Sequence, residues 1–175
     1  ITALEKFIKK QGKKKTVIMY PKNQYADLIE KRIKRTSLKN YRIFKYSSDP
    51  KVLTGEIEKL TNYPQRKRNL EARKKFLEKK EDIKSINELN DLEQKYTLGK
   101  INFDSIIILD FGDSLKSVLT SLAYTDVSDE EILIITGNQW FDKSLLDETS
   151  IKNFYFPSIN FKNFKIFNDN FYKIY

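Results

Sequence analysis

The 175-residue sequence contains no cysteine and no histidine, and these absences remove most of the common chemistry of protein sites. Without cysteine there is neither a disulfide nor a thiolate nucleophile. Without histidine, the commonest general base and the commonest transition-metal ligand are missing. The five glycines are scattered, so the sequence has neither a P-loop nor the glycine-rich turn of a dinucleotide-binding fold. These absences favour a protein without an enzymatic activity, a cofactor or a metal site.

Long apolar runs are also missing. No stretch approaches the roughly 20 apolar residues that a membrane helix needs. The opening residues, Ile1-Thr2-Ala3, lack the basic and apolar regions of a signal peptide. Because the chain begins without Met and opens on a helical pattern, we expect it to be a piece of a longer protein whose targeting segment lies upstream.

The sequence carries an excess of positive charge, with 33 Lys and Arg against 24 Asp and Glu and a net charge of +9. The charge is spread diffusely rather than clustered in one patch. Two basic runs, Lys13–Lys15 and Arg66–Lys75, lack the interleaved aromatics of a single-strand binder and any groove-reading motif. Nucleic-acid binding is the alternative class that this charge raises, and we expect no nucleic-acid partner.

Five short runs have the character of buried strands. They are Thr16–Tyr20, Tyr41–Tyr46, Phe103–Leu109, Ile132–Thr136 and Phe154–Phe156. Continuous apolar strands that alternate with helical patterns are typical of a parallel sheet covered on both faces. We predict an α/β three-layer αβα sandwich, with a doubly wound, mostly parallel five-stranded sheet of the flavodoxin-like kind. Residues 1–175 are expected to form one lobe, with a charged helical insertion over about residues 65–100.

Local signals set the boundaries of the first elements. Pro21 is expected to end the first strand, because proline cannot donate to the ladder. A second helix is predicted from Asn23 or Gln24, with Leu28, Ile29 and Ile33 on its inner face.

The loops at the carboxyl ends of parallel strands are where such sheets bind ligands. Those loops are Pro21–Gln24, Ser47–Asp49, Asp110–Asp113, Gly137–Asp142 and Pro157-Ser158. A receiver domain would place an acidic cluster here, but the loop after the first strand reads Tyr-Pro-Lys-Asn. Asp104 and Asp110 lie six residues apart on one strand, so only one of them can lie near these loops. The two make a poor general acid–base pair.

Three segments, taken in order, carry a resemblance to a known family. They are Tyr20-Pro21-Lys22-Asn23-Gln24-Tyr25, then Thr97-Leu98-Gly99 with Phe103–Asp113 and Leu122–Val127, and finally Ile135–Asp142. Together they resemble the penicillin-binding protein activator group of type I periplasmic ligand-binding domains. The broader relatives are the leucine/isoleucine/valine-binding proteins. The similarity covers nearly the whole chain.

The resemblance implies a two-lobed cell-envelope protein, in the periplasm or on the outer membrane as a lipoprotein, that holds a ligand or partner between its lobes. This chain would be the second lobe. Its partners would be the missing first lobe and either a penicillin-binding protein or a small molecule. The closing helix, Phe161–Tyr175, would cross toward the first lobe with Phe164, Phe167 and Phe171 on one face; plain core packing is the alternative for this stripe.

The resemblance also implies which residues bind. They are Tyr20, Asn23 and Tyr25 after the first strand, Asp110, Phe111 and Gly112 after the third, and Asn138, Gln139 and Trp140 after the fourth. For Tyr25 and Trp140 the alternative is packing against the lobe. Amino-acid-binding relatives commonly place an acid in the fourth-strand loop, where it pairs with the ammonium group of the ligand. This sequence has Asn138 and Gln139 there, and an unpaired ammonium in a closed cleft would be costly.

We therefore expect a non-enzymatic lobe that regulates peptidoglycan synthesis by contacting a penicillin-binding protein. The alternative is the substrate-binding lobe of an ABC-transport receptor for an amino acid or another small molecule.

Overall fold

The computed structural model describes residues 2–36, 39–137, 143–146, 152–158 and 160–174. The strands are β1 (Thr16–Pro21), β2 (Tyr41–Tyr46), β3 (Ser105–Ile108), β4 (Leu133–Thr136) and β5 (Phe154–Tyr155). The helices are α1 (Thr2–Lys10), α2 (Ala26–Ile33), α3 (Pro50–Thr61), α4 (Tyr63–Leu77), α5 (Ile83–Glu93), α6 (Gly112–Tyr124), α7 (Lys143–Leu146) and α8 (Phe161–Ile174).

The five strands form one parallel sheet in the order β2-β1-β3-β4-β5. The chain steps outward from β1 to β2 and then crosses to the other side of β1 to make β3. The direction of winding reverses there, so the crevice between the carboxyl ends of β1 and β3 is the topological switch point. The predicted fold class, a flavodoxin-like three-layer sandwich, is confirmed.

Each face of the sheet is buried under its own helices because successive side chains of a strand point to opposite faces. Val17 and Met19 of β1 lie in the core beneath α3 and α6, whereas Ile18 and Tyr20 lie in the core beneath α1 and α2. Every residue of β1, β3 and β4 is buried. This double burial explains why these strands read as unbroken apolar runs.

The charged insertion forms α4 and α5, as predicted, and has a small core of its own. Leu70, Leu77 and Leu92 are buried together there. Arg66, which is almost fully buried on α4, joins the insertion to the main body. Its guanidinium donates to the carbonyl oxygens of Gly99, Thr125 and Asp126 at 3.3, 3.0 and 3.0 Å.

The first strand ends at Pro21, as predicted, but it includes the proline as its last residue. Pro21 pairs in register with Tyr46, and the next amide, that of Lys22, donates to the Tyr46 carbonyl at 2.8 Å. Alternate backbone groups of a strand face opposite neighbours, so the missing Pro21 N–H faces the side of β3. There β3 has already ended opposite Met19. The proline therefore removes no ladder bond.

The predicted start of α2 was wrong by two to three residues, because Asn23 builds a turn instead. Its Oδ1 accepts the Tyr25 amide at 2.9 Å, and its carbonyl accepts the Ala26 amide at 3.0 Å. The helix follows at Ala26. Leu28, expected on the inner face, is exposed, whereas Ile33 is buried.

Candidate functional site

The carboxyl edge of the sheet, defined here as the loops Pro21–Tyr25, Ser47–Asp49, Leu109–Gly112 and Phe156–Ser158, contains most of the predicted site. All strands run parallel, so the loops that follow them lie at one end of the sheet. The loops after β1 and β3 adjoin across the switch point, because these two strands pair directly.

Asp110 ties three elements together at this edge. Its Oδ2 accepts hydrogen bonds from the hydroxyls of Tyr46 on β2 and Ser114 on α6, both at 2.6 Å. Its Oδ1 accepts the amide of Phe111 at 2.9 Å. Burial and the Asp110 carboxylate raise the pKa of Tyr46, so the phenol remains a donor. Because these donors engage both carboxylate oxygens, Asp110 fixes the loop, and its charge is already satisfied within the lobe.

Glu56 fastens the loops after β1 and β2 to α3. Its Oε1 accepts Lys22 Nζ at 2.7 Å, and its Oε2 accepts the amide of Ser47 at 2.7 Å. Burial alone would raise the pKa of Glu56, but the hydrogen bonds from Lys22 and Ser47 and the Lys22 charge outweigh it, and the pKa lies below its ordinary value. The first two loops of the edge are thereby held in place.

Two aromatic side chains protrude from this rigid frame on either side of the switch point. Phe111, before α6, is 60% exposed, and Tyr25, before α2, is 48% exposed. The alternative for Tyr25 is packing against the lobe. Nearly half of the surface of this side chain nevertheless remains exposed. The backbone beside Phe111 turns through Gly112, whose φ of +60° is left-handed and favours glycine.

Tyr20 lies in the interior of the lobe, and the side chain of Asn23 forms part of the turn before α2. Tyr20 is wholly buried in the core beneath α1 and α2, and its hydroxyl lies near Glu30 without reaching hydrogen-bond geometry. Burial and the Glu30 charge raise the pKa of Tyr20 to about 12. The side-chain oxygen of Asn23 is taken by the Tyr25 amide. The structure therefore does not bring Tyr20 to the open surface that Phe111 and Tyr25 share.

The remaining predicted site residues, Asn138, Gln139 and Trp140, lie outside the described residues. They follow β4, whose last residue, Thr136, donates its hydroxyl to the carbonyl of Gly137 at 3.1 Å.

Helix α8 carries a second aromatic surface. None of its described side chains is buried. We call its exposed apolar side chains the α8 stripe: Ile166, Phe167, Phe171, Tyr172 and Ile174. Two of its rings, Phe167 and Phe171, stack with their centroids 6.3 Å apart. Of the predicted face, Phe167 and Phe171 are therefore exposed rather than packed in the core, whereas Phe164 is half-buried.

An apolar groove lies between α1 and the carboxyl ends of β4 and β5. Its volume is about 220 Å³, and it is lined by Ala3, Leu4, Phe7, Ile135, Tyr155, Phe156 and Pro157. The groove ends at the loop that leads into α8, so the two apolar surfaces follow one another along the chain.

The carboxyl edge combines loops fixed by hydrogen bonds with exposed aromatic rings. Among the described residues, no three Asp or Glu side chains are grouped closely enough to hold a metal ion. Within the same residues, no helix is both long enough and apolar enough to cross a membrane. What the edge offers is a rigid frame with projecting aromatic rings, which suits contact with an apolar surface.

Three residues that hold this edge, Tyr46, Ser114 and Glu56, were not predicted. Ser114 follows Asp110 by four residues, which is the spacing of neighbours on a helix and could have been noticed. Tyr46 and Glu56 are polar contacts between distant segments, and nothing in their local sequence marks them.

Comparisons of the chain with protein-family models, with curated proteins and with solved structures find no match.

Proposed function

We propose that this chain is a non-enzymatic binding lobe of a cell-envelope protein, and that it regulates peptidoglycan synthesis by docking a penicillin-binding protein at its carboxyl edge. The observation that carries the proposal is the pair of exposed rings, Phe111 and Tyr25, on loops that adjoin at the switch point. Large exposed apolar groups on a rigid frame are typical of interfaces.

The hydrogen bonds beneath the rings support a binding role. Asp110 and Glu56 fix the loops that carry the rings, so little conformational entropy is lost when a partner covers them. The same bonds engage both oxygens of Asp110 within the lobe. A catalytic carboxylate would need to reach the substrate proton directly.

The α8 stripe supplies a second contact region in this proposal. Its exposed aromatic rings would face the first lobe of the same protein. The helix also carries three positive charges, on Lys162, Lys165 and Lys173. The carboxyl edge would then meet the penicillin-binding protein. Separate surfaces for the two partners allow the lobes to assemble without blocking the regulatory contact.

A receptor lobe for a small molecule is the second candidate, and the apolar groove of about 220 Å³ is the observation that favours it. Its lining could take an aliphatic side chain. It lacks a carboxylate for an amino-acid ammonium, which would be costly to bury unpaired. Calorimetric titration of the two-lobed protein with the standard amino acids tests this candidate. Saturable binding would favour it over the docking lobe.

The docking proposal is tested by measuring the affinity of this chain for soluble penicillin-binding protein ectodomains with biolayer interferometry. The variant Phe111→Ser/Tyr25→Ser is expected to weaken binding by about tenfold or more, because central aromatic residues each contribute more than about 1 kcal/mol. The matched control, Ile83→Ser/Tyr96→Ser, removes two apolar side chains that are more exposed, at 78% and 76%, from the insertion and its following loop. Equal affinities of the two variants, or no binding by the parent chain, would contradict the proposal.

A further inference from the structure

The outer edge of β2 is an unpaired side of the sheet. β2 stands at one end of the order β2-β1-β3-β4-β5, so it has a neighbouring strand on one side only. The carbonyl of its last residue, Tyr46, accepts the amide of Lys22 at 2.8 Å and therefore faces β1. Because backbone groups alternate between the two sides of a strand, the N–H and C=O groups of Tyr41, Ile43 and Lys45 face away from β1. Among the described residues, no other segment pairs with this side of β2.

The middle of this edge is apolar and open to solvent. Ile43 is 42% exposed, whereas Ile18, its partner in the register with β1, is 1% exposed. Tyr41 and Phe44 are half-buried. A row of unpaired backbone groups beside exposed apolar side chains is a template to which another strand can add.

The sequence Tyr41-Arg42-Ile43-Phe44-Lys45 is complementary to a reversed copy of itself. A twofold axis at Ile43 would set two β2 strands antiparallel, with the Ile43 side chains of the two copies opposite each other. Tyr41 would then lie opposite Lys45 of the second copy, and Arg42 opposite Phe44 of the second copy. The outward backbone groups of Ile43, and those of Tyr41 and Lys45, would exchange hydrogen bonds as in an ordinary antiparallel ladder. Such a contact uses the same surface on both copies, as closed twofold dimers do.

The charges of β2 do not oppose this pairing. Charged side chains usually protect an edge strand from association, but here each cation would lie opposite an aromatic ring rather than another cation. The Lys45 ammonium is also paired with the Glu30 carboxylate of its own lobe, and the Arg42 guanidinium lies 5.7 Å from the centre of the Phe103 ring. A slip of the register by two residues would instead set Lys45 opposite Lys39 of the second copy. Repulsion between these like charges favours the register centred on Ile43.

We propose that two copies of this chain associate through antiparallel pairing of their β2 strands, which continues one sheet across both copies. The second copy is the occupant that this edge fits, because the sequence of the strand satisfies its own reversed pattern at every position. The edge of β2 is separate from the rings of Phe111 and Tyr25 and from the α8 stripe, so the association does not depend on the docking proposed above. In an antiparallel pair the two carboxyl edges point in opposite directions.

Sedimentation equilibrium of the whole chain at increasing protein concentration measures the association, in about 0.15 M salt to screen the net charge of +9. We expect a dimer whose dissociation constant rises by about tenfold or more in Ile43→Lys, because two cations then replace two apolar side chains at the twofold axis. The control Ile86→Lys adds the same charge at a position of similar exposure, 47% against 42%, on α5 of the insertion. Circular dichroism spectra that match the parent check that both variants are folded.

Two outcomes of this measurement would overturn the proposal. One is a chain that stays monomeric throughout, which would leave the edge of β2 to an extended segment of another protein. The other is a dissociation constant that is the same for Ile43→Lys and Ile86→Lys.

Amide hydrogen exchange, followed residue by residue by NMR, distinguishes this dimer from one formed through the α8 stripe. The amides of Ile43 and Lys45 face outward and should become protected as the dimer forms. Those of Arg42 and Phe44 face β1 and should be protected already in the monomer. Unchanged exchange at Ile43 and Lys45 in a dimeric sample would refute the pairing of β2.

Discussion

Replacing Arg66 by methionine should remove the main polar attachment of the α4–α5 insertion to the body of the lobe. The guanidinium is buried and reaches three backbone carbonyls, the hydroxyl of Thr97 at 2.7 Å, and the carboxylate of Asp126 at 3.5 Å. Methionine keeps most of the apolar stem but supplies no donor. The carbonyls of Gly99 and Thr125 would lose their bonds to the guanidinium.

The expected loss in the free energy of unfolding depends on the buried acceptors that the substitution leaves unpaired. Burial lowers the pKa of Arg66, and the negative charge of Asp126 opposes this effect. The cost of removing the guanidinium from water therefore offsets part of the energy of its hydrogen bonds and ion pair. Breaking a buried charged network nevertheless costs about 3–5 kcal/mol, because its acceptors remain buried and unpaired. For a chain of this length, that loss corresponds to a fall in Tm of about 6–20 °C.

Thermal and urea unfolding, followed by circular dichroism, measure the effect. The control is Arg68→Met, two residues along α4, where the exposed side chain bonds only to Gln65 among the described residues, at 2.8 Å. That change should stay within about 0.5 kcal/mol of the parent. If Arg66→Met were as stable as Arg68→Met, other contacts, such as that between the rings of Tyr63 on α4 and Tyr124 on α6, would hold the insertion, and our account of the attachment would be wrong.

Two further predictions concern the carboxyl edge. Tyr46→Phe should lower the free energy of unfolding by about 1.5–3 kcal/mol, because it deletes a hydrogen bond to the buried Asp110 carboxylate; an unchanged urea midpoint would contradict this. Glu56→Gln should cost about 1 kcal/mol or less at neutral pH. Since the folded pKa of Glu56 is lowered, its stabilisation is present above the unfolded pKa of about 4.3 and disappears as pH falls through the folded value. Urea titrations from pH 7 to pH 3 should therefore show the two proteins converging, and a constant difference would refute the assignment.

The sheet could be predicted because its signal is local. The run Ile106-Ile107-Ile108 alternates between two cores, and both faces must be apolar where helices cover both. The prediction failed for Leu28, which lies five residues before the buried Ile33 and therefore on another side of α2, where its side chain is exposed. The buried face of α2 is the one formed by Ala26, Ile29 and Ile33, which follow one another at intervals of three and four residues.

The polar frame of the site could not be predicted in the same way. Tyr46 and Asp110 are 64 residues apart, and their strands are not neighbours, because β1 lies between them. Their hydrogen bond therefore depends on the strand order and the register together. A cavity at the amino end of the sheet has the same origin, since Lys14 and Lys39 line it together only because β2 lies beside β1.

The register also explains why the tyrosine can reach across a strand. Pro21 pairs with Tyr46, and Met19 pairs with Ile108, so continuing the second pairing by two residues sets Asp110 level with Pro21. Tyr46, Pro21 and Asp110 then lie in one row across three strands, a distance of about 9–10 Å between the outer two. The register of the three strands thus places the Tyr46 phenol within reach of the carboxylate that also accepts the amide of Phe111.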